Sequence, residues 1–194
     1  MQQTLNTSKD HSSSMVFSIL IPTWNNLSYL KLCIQSIRKY SAANHQIVVH
    51  VNEGTDGTID WLKLEQIPFT FSAENVGVCK ALNRVYTLAD SDYILYMNDD
   101  MVVLPGWDTA LVEMIERLPD HAFYLSSTMI EPVESGNPCV LAPYDFGRSP
   151  ETLNEELLLK NYRLFQNSDW CGATWPPSLV HREYWEKVGG YSEE

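Results

Sequence analysis

Three consecutive residues, Asn98-Asp99-Asp100, follow directly on the apolar run Tyr93-Ile94-Leu95-Tyr96-Met97. Two adjacent carboxylates at the end of a buried strand repel one another and lose solvation, so a compensating partner is needed. A divalent cation bridging to phosphate supplies it, since Mg²⁺ and Mn²⁺ take oxygen ligands and use one or two carboxylates alongside waters and substrate oxygens. A pair that caps a turn is the alternative, because Asp bonds readily to nearby backbone. Lys80 is close in sequence and could reach a phosphate or remain a solvated helix cation. Other chemistries lack their signatures. No G-x-G-x-x-G opens the first helix and no G-x-x-x-x-G-K-[ST] is present, which disfavours a dehydrogenase or P-loop enzyme. No G-x-S-x-G supplies a serine nucleophile. His45, His50, His121 and His181 have no paired spacing for a metal or a triad, and Cys33, Cys79, Cys139 and Cys171 form no C-x-x-C, so the cysteines read as reduced, mostly buried thiols.

The elements that must carry the acidic pair come from the apolar pattern. Val16 to Ile21 is a near-continuous apolar run ended by Pro22, the mark of a strand buried on both faces in a parallel sheet. The spacing of Leu27, Leu30, Ile34 and Ile37 predicts a helix, which Asn25 and Asn26 can cap. Ile47 to Val51 is a second strand, followed by a turn at Gly54 to Thr58, a short helix over Ile59 to Leu64 and a third strand at Phe69 to Phe71. Val78, Leu82, Val85 and Ala89 predict another helix face, and Tyr93 to Met97 is the fourth strand. Pro105-Gly106 then precedes a helix that buries Trp107, Leu111, Ile115 and Leu118. Repeated β-then-α units imply a mainly parallel, doubly wound α/β sheet with right-handed crossovers. Beyond Pro119 the pattern loosens: strands at Ala122 to Thr128, Cys139 to Tyr144 and the end of one at Leu179 to His181, and helices at Glu151 to Asn161 and Glu183 to Val188.

The chain has 194 residues, 44% of them hydrophobic, enough for one globular domain and its core. Its 13 basic and 25 acidic side chains leave a net charge of -12, which argues against nonspecific binding to nucleic acid or anionic lipid. Most of the excess lies after residue 100. Met1 to Ser14 is a polar, Ser-rich stretch that reads as a flexible tail and not a signal peptide, leaving 15–194 as a single domain. No apolar run approaches the roughly 20 residues of a membrane span, so the expectation is a cytoplasmic protein without a transmembrane segment.

In an open parallel sheet, ligands bind beyond the carboxyl ends of the strands, which selects Pro22 to Asn26, Asn52 to Asp56 and Asn98 to Asp100. Those blocks, with Glu74-Asn75-Val76-Gly77, Ala81 and Asn83 between them, resemble the family 2 glycosyltransferases in content, order and spacing. The likeness continues through Pro105-Gly106-Trp107, Val180-His181-Arg182-Glu183 and Val188-Gly189-Gly190-Tyr191-Ser192-Glu193. It implies a nucleotide-sugar-binding domain of the GT-A type, with 15–118 binding the donor and 119–194 facing the acceptor. Pro22, Thr23 and Trp24 would then touch the nucleobase, and an aromatic there can stack on it. The acidic residue that the family commonly places after the second strand falls on Asn52, with Glu53 one position on, so either can make the base or ribose contact. By the same resemblance Asp99 approaches ribose or phosphate, Asp100 holds Mn²⁺ or Mg²⁺ with Asp99 beside it, and Asn98 is a variation that removes one charge. Asp169, Trp170 and Trp175 fall in the segment that lines the sugar and acceptor pocket in the family, with packing of a loop-rich wall as the alternative for the two tryptophans.

The resemblance further implies an inverting transfer from a nucleotide-diphosphate sugar to a glycan, lipid-linked or protein acceptor. A carboxylate takes the acceptor's proton in such a reaction. In the family that base follows the Gly-Gly-aromatic segment by several residues, so its place is expected beyond Glu194, and Glu193 matches the end of the segment instead. A nucleotide-sugar-binding domain without catalysis is the alternative reading.

Overall fold

A computed structural model describes residues 16–165 and 175–193. The polar tail, Asp169 and Trp170 lie outside the described residues. Strands β1 (Phe17–Trp24), β2 (Gln46–Asn52), β3 (Phe69–Ser72) and β4 (Tyr93–Tyr96) alternate with helices α1 (Leu27–Tyr40), α2 (Thr58–Leu64) and α3 (Gly77–Tyr86), and α4 (Trp107–Arg117) follows β4. Then come β5 (Tyr124–Ser126), the short β6 (Met129–Ile130) and β7 (Val140–Leu141), α5 (Glu155–Asn161), β8 (Ser178–His181) and α6 (Arg182–Val188). The main sheet has six strands in the order β3-β2-β1-β4-β8-β5, and β6 and β7 pair separately. The first four are parallel; β8 runs antiparallel to β4 and to β5, so the sheet is mainly parallel as expected.

The strands are apolar on both faces because both are covered. Phe17, Ile19, Ile21, Val49, Val51, Leu95 and Met97 pack one way, against Leu30, Ile34 and Ile37 of α1, Leu62 of α2 and Leu111 and Ile115 of α4. The alternate residues Leu20, Val48 and Ile94 pack the other way, against Leu82 and Val85 of α3 and Trp185 of α6. Burying each such Leu or Ile side chain is worth roughly 1.5–3 kcal/mol relative to exposure.

Two polar clusters pin this arrangement. Asp108, at the start of α4, is 2% exposed. Its carboxylate accepts from the backbone N–H groups of Ala42 (2.6 Å), Ala43 (3.1 Å) and Thr109 (2.9 Å) and from His45 Nε2 (3.1 Å). His45 Nδ1 accepts from Phe17 N at 3.1 Å, which fixes the neutral tautomer with its proton on Nε2. Burial holds the His45 pKa below the ordinary value, against the Asp108 hydrogen bond. On β2, the buried His50 sits between Thr70 Oγ1 (2.7 Å) and Ser72 Oγ (3.0 Å). These histidines are structural, in keeping with their lack of paired spacing.

Four expectations are corrected. The first strand does not end at Pro22 but runs to Trp24, with Pro22 paired to His50 and Trp24 to Asn52. Asn26 stands at the N-terminus of α1 without a side-chain cap, since the Asp56 carboxylate accepts the Leu27 N–H at 2.7 Å in its place. Val78 is 48% exposed, because α3 begins at Gly77 beyond the edge of the packed layer and only Ala81, Leu82 and Val85 are buried. The helix predicted from Glu151 starts at Glu155, where the Asn154 side chain accepts from Leu157 N at 3.0 Å. Cys33 and Cys139 are buried free thiols and Cys79 is a half-buried one. Among the described residues no helix is long and apolar enough to cross a membrane.

Candidate functional site

The strand order reverses direction between β1 and β4, which is where an open α/β sheet leaves a crevice beyond its strand ends. The two strands pair only from Phe17–Tyr93 to Leu20–Tyr96, and the Met97 N–H closes the ladder on the Leu20 carbonyl at 3.1 Å. Past that point they part. Backbone groups alternate sides along a parallel strand, so Pro22, two residues after Leu20, turns its nitrogen toward the opening. A proline normally breaks a central strand by withholding an N–H. At Pro22 no ladder partner is present to need one, which is why β1 continues through it.

The crevice holds a cleft of about 360 Å³ lined by Pro22, Thr23, Trp24, Asn25, Asn26, Asn52, Asn75, Gly77, Val78, Asn98 and Asp99. Asp99 is the one charged side chain in this lining, which sets the amides of five asparagines beside the apolar Pro22, Trp24 and Val78. Trp24 stands 55% exposed at the rim. Asn52 is 3% exposed and braces two walls, with Oδ1 accepting from Val76 N (2.9 Å) and Nδ2 donating to the Thr23 carbonyl (3.4 Å). Glu53 is not in this lining. Its backbone is left-handed, with φ 61°, and its carboxylate accepts from Asn25 Nδ2 at 3.1 Å.

The adjacent carboxylates part company. Asp99 turns into the small cleft and accepts from the Thr23 hydroxyl at 2.6 Å. Burial first, and the neighbouring Asp100 charge to a lesser degree, push its pKa above the ordinary carboxylate value, against hydrogen bonds from Thr23 and Asn26. Asp100 is exposed and lines a second, larger cavity of about 840 Å³. That cavity is bounded by Tyr29, Leu32, Met101 to Leu104 and Trp107, by Ile130 of β6, and by the loop-borne Tyr144, Phe146 and Trp175. Asn98 lines both spaces.

No group of three His, Cys, Asp or Glu side chains that could hold a metal occurs among the described residues. Asp99 and Asp100 are the acidic side chains that line the two spaces near Asn98, and a divalent cation there would take one or both of them and draw its other oxygens from a ligand and water. That donor set fits Mg²⁺ or Mn²⁺.

Pro22, Thr23, Trp24, Asn52, Asn98 and Asp99 are thus brought together in one cleft, and Asp100 and Trp175 in the cavity beyond it. Lys80 and Glu53 are not among the lining residues. Asn75, Gly77 and Val78 belong to the cleft without having been singled out; the block Glu74 to Gly77, lying between a strand and a helix, was the available signal. Asn83 lies outside the cleft lining. It donates from Nδ2 to the Tyr191 carbonyl and to Glu193 Oε1, both at 2.8 Å, and accepts from Tyr191 N at 2.9 Å. Gly190, with φ 78°, lies so close that a Cβ there would collide with Asn83 Oδ1. The Gly-Gly-Tyr segment is accordingly clamped onto α3. Arg182 likewise holds the approach to β4, donating to the carbonyls of Ala89 (2.9 Å) and Ser91 (2.8 Å).

The mainly parallel sheet with helices on both faces is of the GT-A glycosyltransferase class, and solved glycosyltransferase structures share the fold. Staphylococcus aureus TarS, residues 1–349, superposes with a TM-score of 0.65 at 14% identity, covering 93% of this chain and 51% of that one. In complex with UDP-GlcNAc the TM-score is 0.61 at 16% identity, over 91% and 48% of the two chains. The mannosyltransferase PcManGT from Pyrobaculum calidifontis, in complex with GDP-Man and Mn²⁺, gives 0.59 at 16% identity, over 92% and 48%. The chain belongs to glycosyl transferase family 2, whose model matches residues 18–185. A Haemophilus influenzae protein described as an uncharacterized glycosyltransferase is 20% identical over 179 residues, 91% of this chain and 56% of its own length. An Escherichia coli protein, WcaA, provisionally named a colanic acid biosynthesis glycosyl transferase, is 23% identical over 124 residues, 59% of this chain and 43% of its own. The chain spans about half the length of these relatives.

Proposed function

We propose that this chain moves a sugar from a nucleotide-diphosphate sugar to an acceptor hydroxyl with inversion at the anomeric carbon, as part of cytoplasmic glycan or polysaccharide synthesis. The observation that carries the reading is the divergence of Asp99 and Asp100 into two adjoining spaces that share Asn98. The small cleft, part apolar and part amide, suits a nucleoside: Trp24 offers a face to stack on the base, and the amide groups of the lining pair with base and ribose. Asn52, already committed to Val76 and Thr23, acts by holding the cleft open, and Asp99 takes the ribose or phosphate end.

The sugar then extends past Asn98 toward Asp100, and the acceptor approaches from the larger cavity, where Tyr29, Tyr144 and Trp175 offer aromatic faces to sugar C–H surfaces. A divalent cation held by Asp99 and Asp100 would neutralise the departing nucleoside diphosphate. The acceptor oxygen forms its bond to the anomeric carbon as the bond to the diphosphate breaks, and the hydroxyl proton passes to a carboxylate base. None of the described residues is assigned that role; Glu193 is turned to Asn83. UDP-GlcNAc in TarS and GDP-Man with Mn²⁺ in PcManGT support a nucleotide-sugar donor and a divalent metal.

Calorimetry with UDP- and GDP-sugars, with Mn²⁺ and in EDTA, tests this. One of the donors binds, and Mn²⁺ tightens it at least tenfold in the wild type but not in Asp100→Ala. Affinity that does not respond to Mn²⁺, or an Asp100→Ala variant that binds as the wild type does, overturns the Asp100 assignment.

A further inference from the structure

Asn98, like Asn26, lines both spaces, and its amide is not free to turn. Tyr96 Oη donates to Asn98 Oδ1 at 2.6 Å. With that oxygen fixed toward Tyr96, the end of the amide turned away from it is Nδ2 with its two N–H donors.

Tyr96 is itself held in place. Its ring packs on the cluster that includes Leu20, Leu82, Ile94 and Trp185, and its edge meets Tyr191 at a centroid distance of 6.2 Å. Tyr191 is gripped through its backbone by Asn83, and its hydroxyl meets that of Tyr124 at 3.0 Å. Packing behind the sheet therefore sets which end of the Asn98 amide faces the site. A carboxylate at this position would add a third negative charge beside Asp99 and Asp100. An amide oriented by Tyr96 instead adds a hydrogen-bond donor among those acceptors.

We propose that Tyr96 is a positioning residue that holds the Asn98 amide with its N–H groups toward the ligand, making Asn98 a donor to a ribose or diphosphate oxygen of the nucleotide. This rests on the donor-binding reading above. The diphosphate is then met by one neutral donor as well as by the cation, so part of the nucleotide affinity is independent of metal.

The test is calorimetry of UDP and of GDP on the full chain, in Mn²⁺ and in EDTA, for wild type, Tyr96→Phe, Asn98→Ala and the double variant, with thermal melts alongside. A hydrogen bond to a charged group is worth about tenfold or more in affinity. Asn98→Ala is expected to weaken binding about tenfold and Tyr96→Phe about fivefold, and adding Tyr96→Phe to Asn98→Ala costs nothing further. Equal weakening by Tyr96→Phe in both backgrounds, or none in either, overturns the proposal. Asn98→Asp keeps the Tyr96 bond and reverses the group offered to the ligand, so it should weaken binding more in EDTA than in Mn²⁺. Equal weakening in the two conditions overturns the donor role, and this contrast decides the matter if Tyr96→Phe does not fold. A wild type that binds neither UDP nor GDP overturns the donor-binding reading and this inference with it, whereas a failure particular to Tyr96 leaves wild-type binding intact.

Discussion

The cleft beside Asp99 is walled by strand ends and the start of a helix, whereas the cavity beside Asp100 is walled largely by loops between Met101 and Pro177. In the first, the β1–β2 ladder holds Pro22 to Trp24 against Asn52, and side chains such as Asn52 and Thr23 bridge one wall to another. In the second, β6 and β7 pair over two residues each and the rest is turn and loop. The contrast teaches that the part of the site suited to a nucleotide is built into the sheet, while the part suited to an acceptor is carried by segments whose sequence can change without disturbing it.

The sharpest way to break this contrast is to treat the two carboxylates separately. Asp100→Ala should lower transfer by about 1,000-fold, about 4 kcal/mol in the barrier, in an assay of nucleoside diphosphate release. Its melting temperature should not change, since the residue is exposed. Asp99→Ala should weaken nucleotide binding and also melt earlier, because the buried Thr23 hydroxyl loses its acceptor. Equal melting of the two variants would remove the distinction.

Acid should act on β2, the strand that carries Asn52 into the small cleft. The buried His50 on β2 is pushed down to about 4, by burial first and by the Arg84 charge second. An unfolded histidine titrates near pH 6.5, so the unfolded chain binds the proton more readily. Stability is therefore full above about pH 6.5 and falls as pH drops toward 4, by about 2 kcal/mol between pH 7 and pH 5. His45 shifts in the same direction. Urea melts across that range read the slope, and a His50→Gln variant should flatten it.

Asn83→Ala should cost about 2 kcal/mol, since it strips Tyr191 and Glu193 of their partners on α3, and Asn83→Asp should cost no less, because it keeps the acceptor for Tyr191 N but turns a carboxylate oxygen on the Tyr191 carbonyl and the Glu193 carboxylate. Chemical denaturation measures both. The smallest effect is expected in the large cavity, where Trp175→Ala should raise the acceptor KM about fivefold, or about 1 kcal/mol, and leave nucleotide affinity unchanged. A matching loss of nucleotide affinity would mean that the two spaces are not separate.

The same division explains what could be read from the sequence. Strands buried on both faces have a near-continuous apolar pattern, so β1, β2 and β4, and with them the triplet at 98–100, stood out. Pro22 misled because a proline ends a strand only where its N–H is needed, and that depends on how far β4 runs alongside. Asn26 misled because the cap of α1 comes from Asp56, a partner 29 residues away that no local pattern reveals. The burial of Asp108 and the clamp formed by Asn83 are likewise long-range. In the half after Pro119 short pairings carry little periodicity, and the strands predicted at Ala122 to Thr128 and Cys139 to Tyr144 shrink to three and two residues.

Pro22 has one more effect, on what kind of molecule the crevice admits. The tip of a strand that has parted from its neighbour offers unpaired amides to any extended peptide that can lie against it. Here the position facing the opening has no hydrogen to offer, so a polypeptide inserted as an extra strand would find its first rung missing. The crevice stays open to ligands that bind through side chains, and it is guarded against strand addition by a single ring nitrogen.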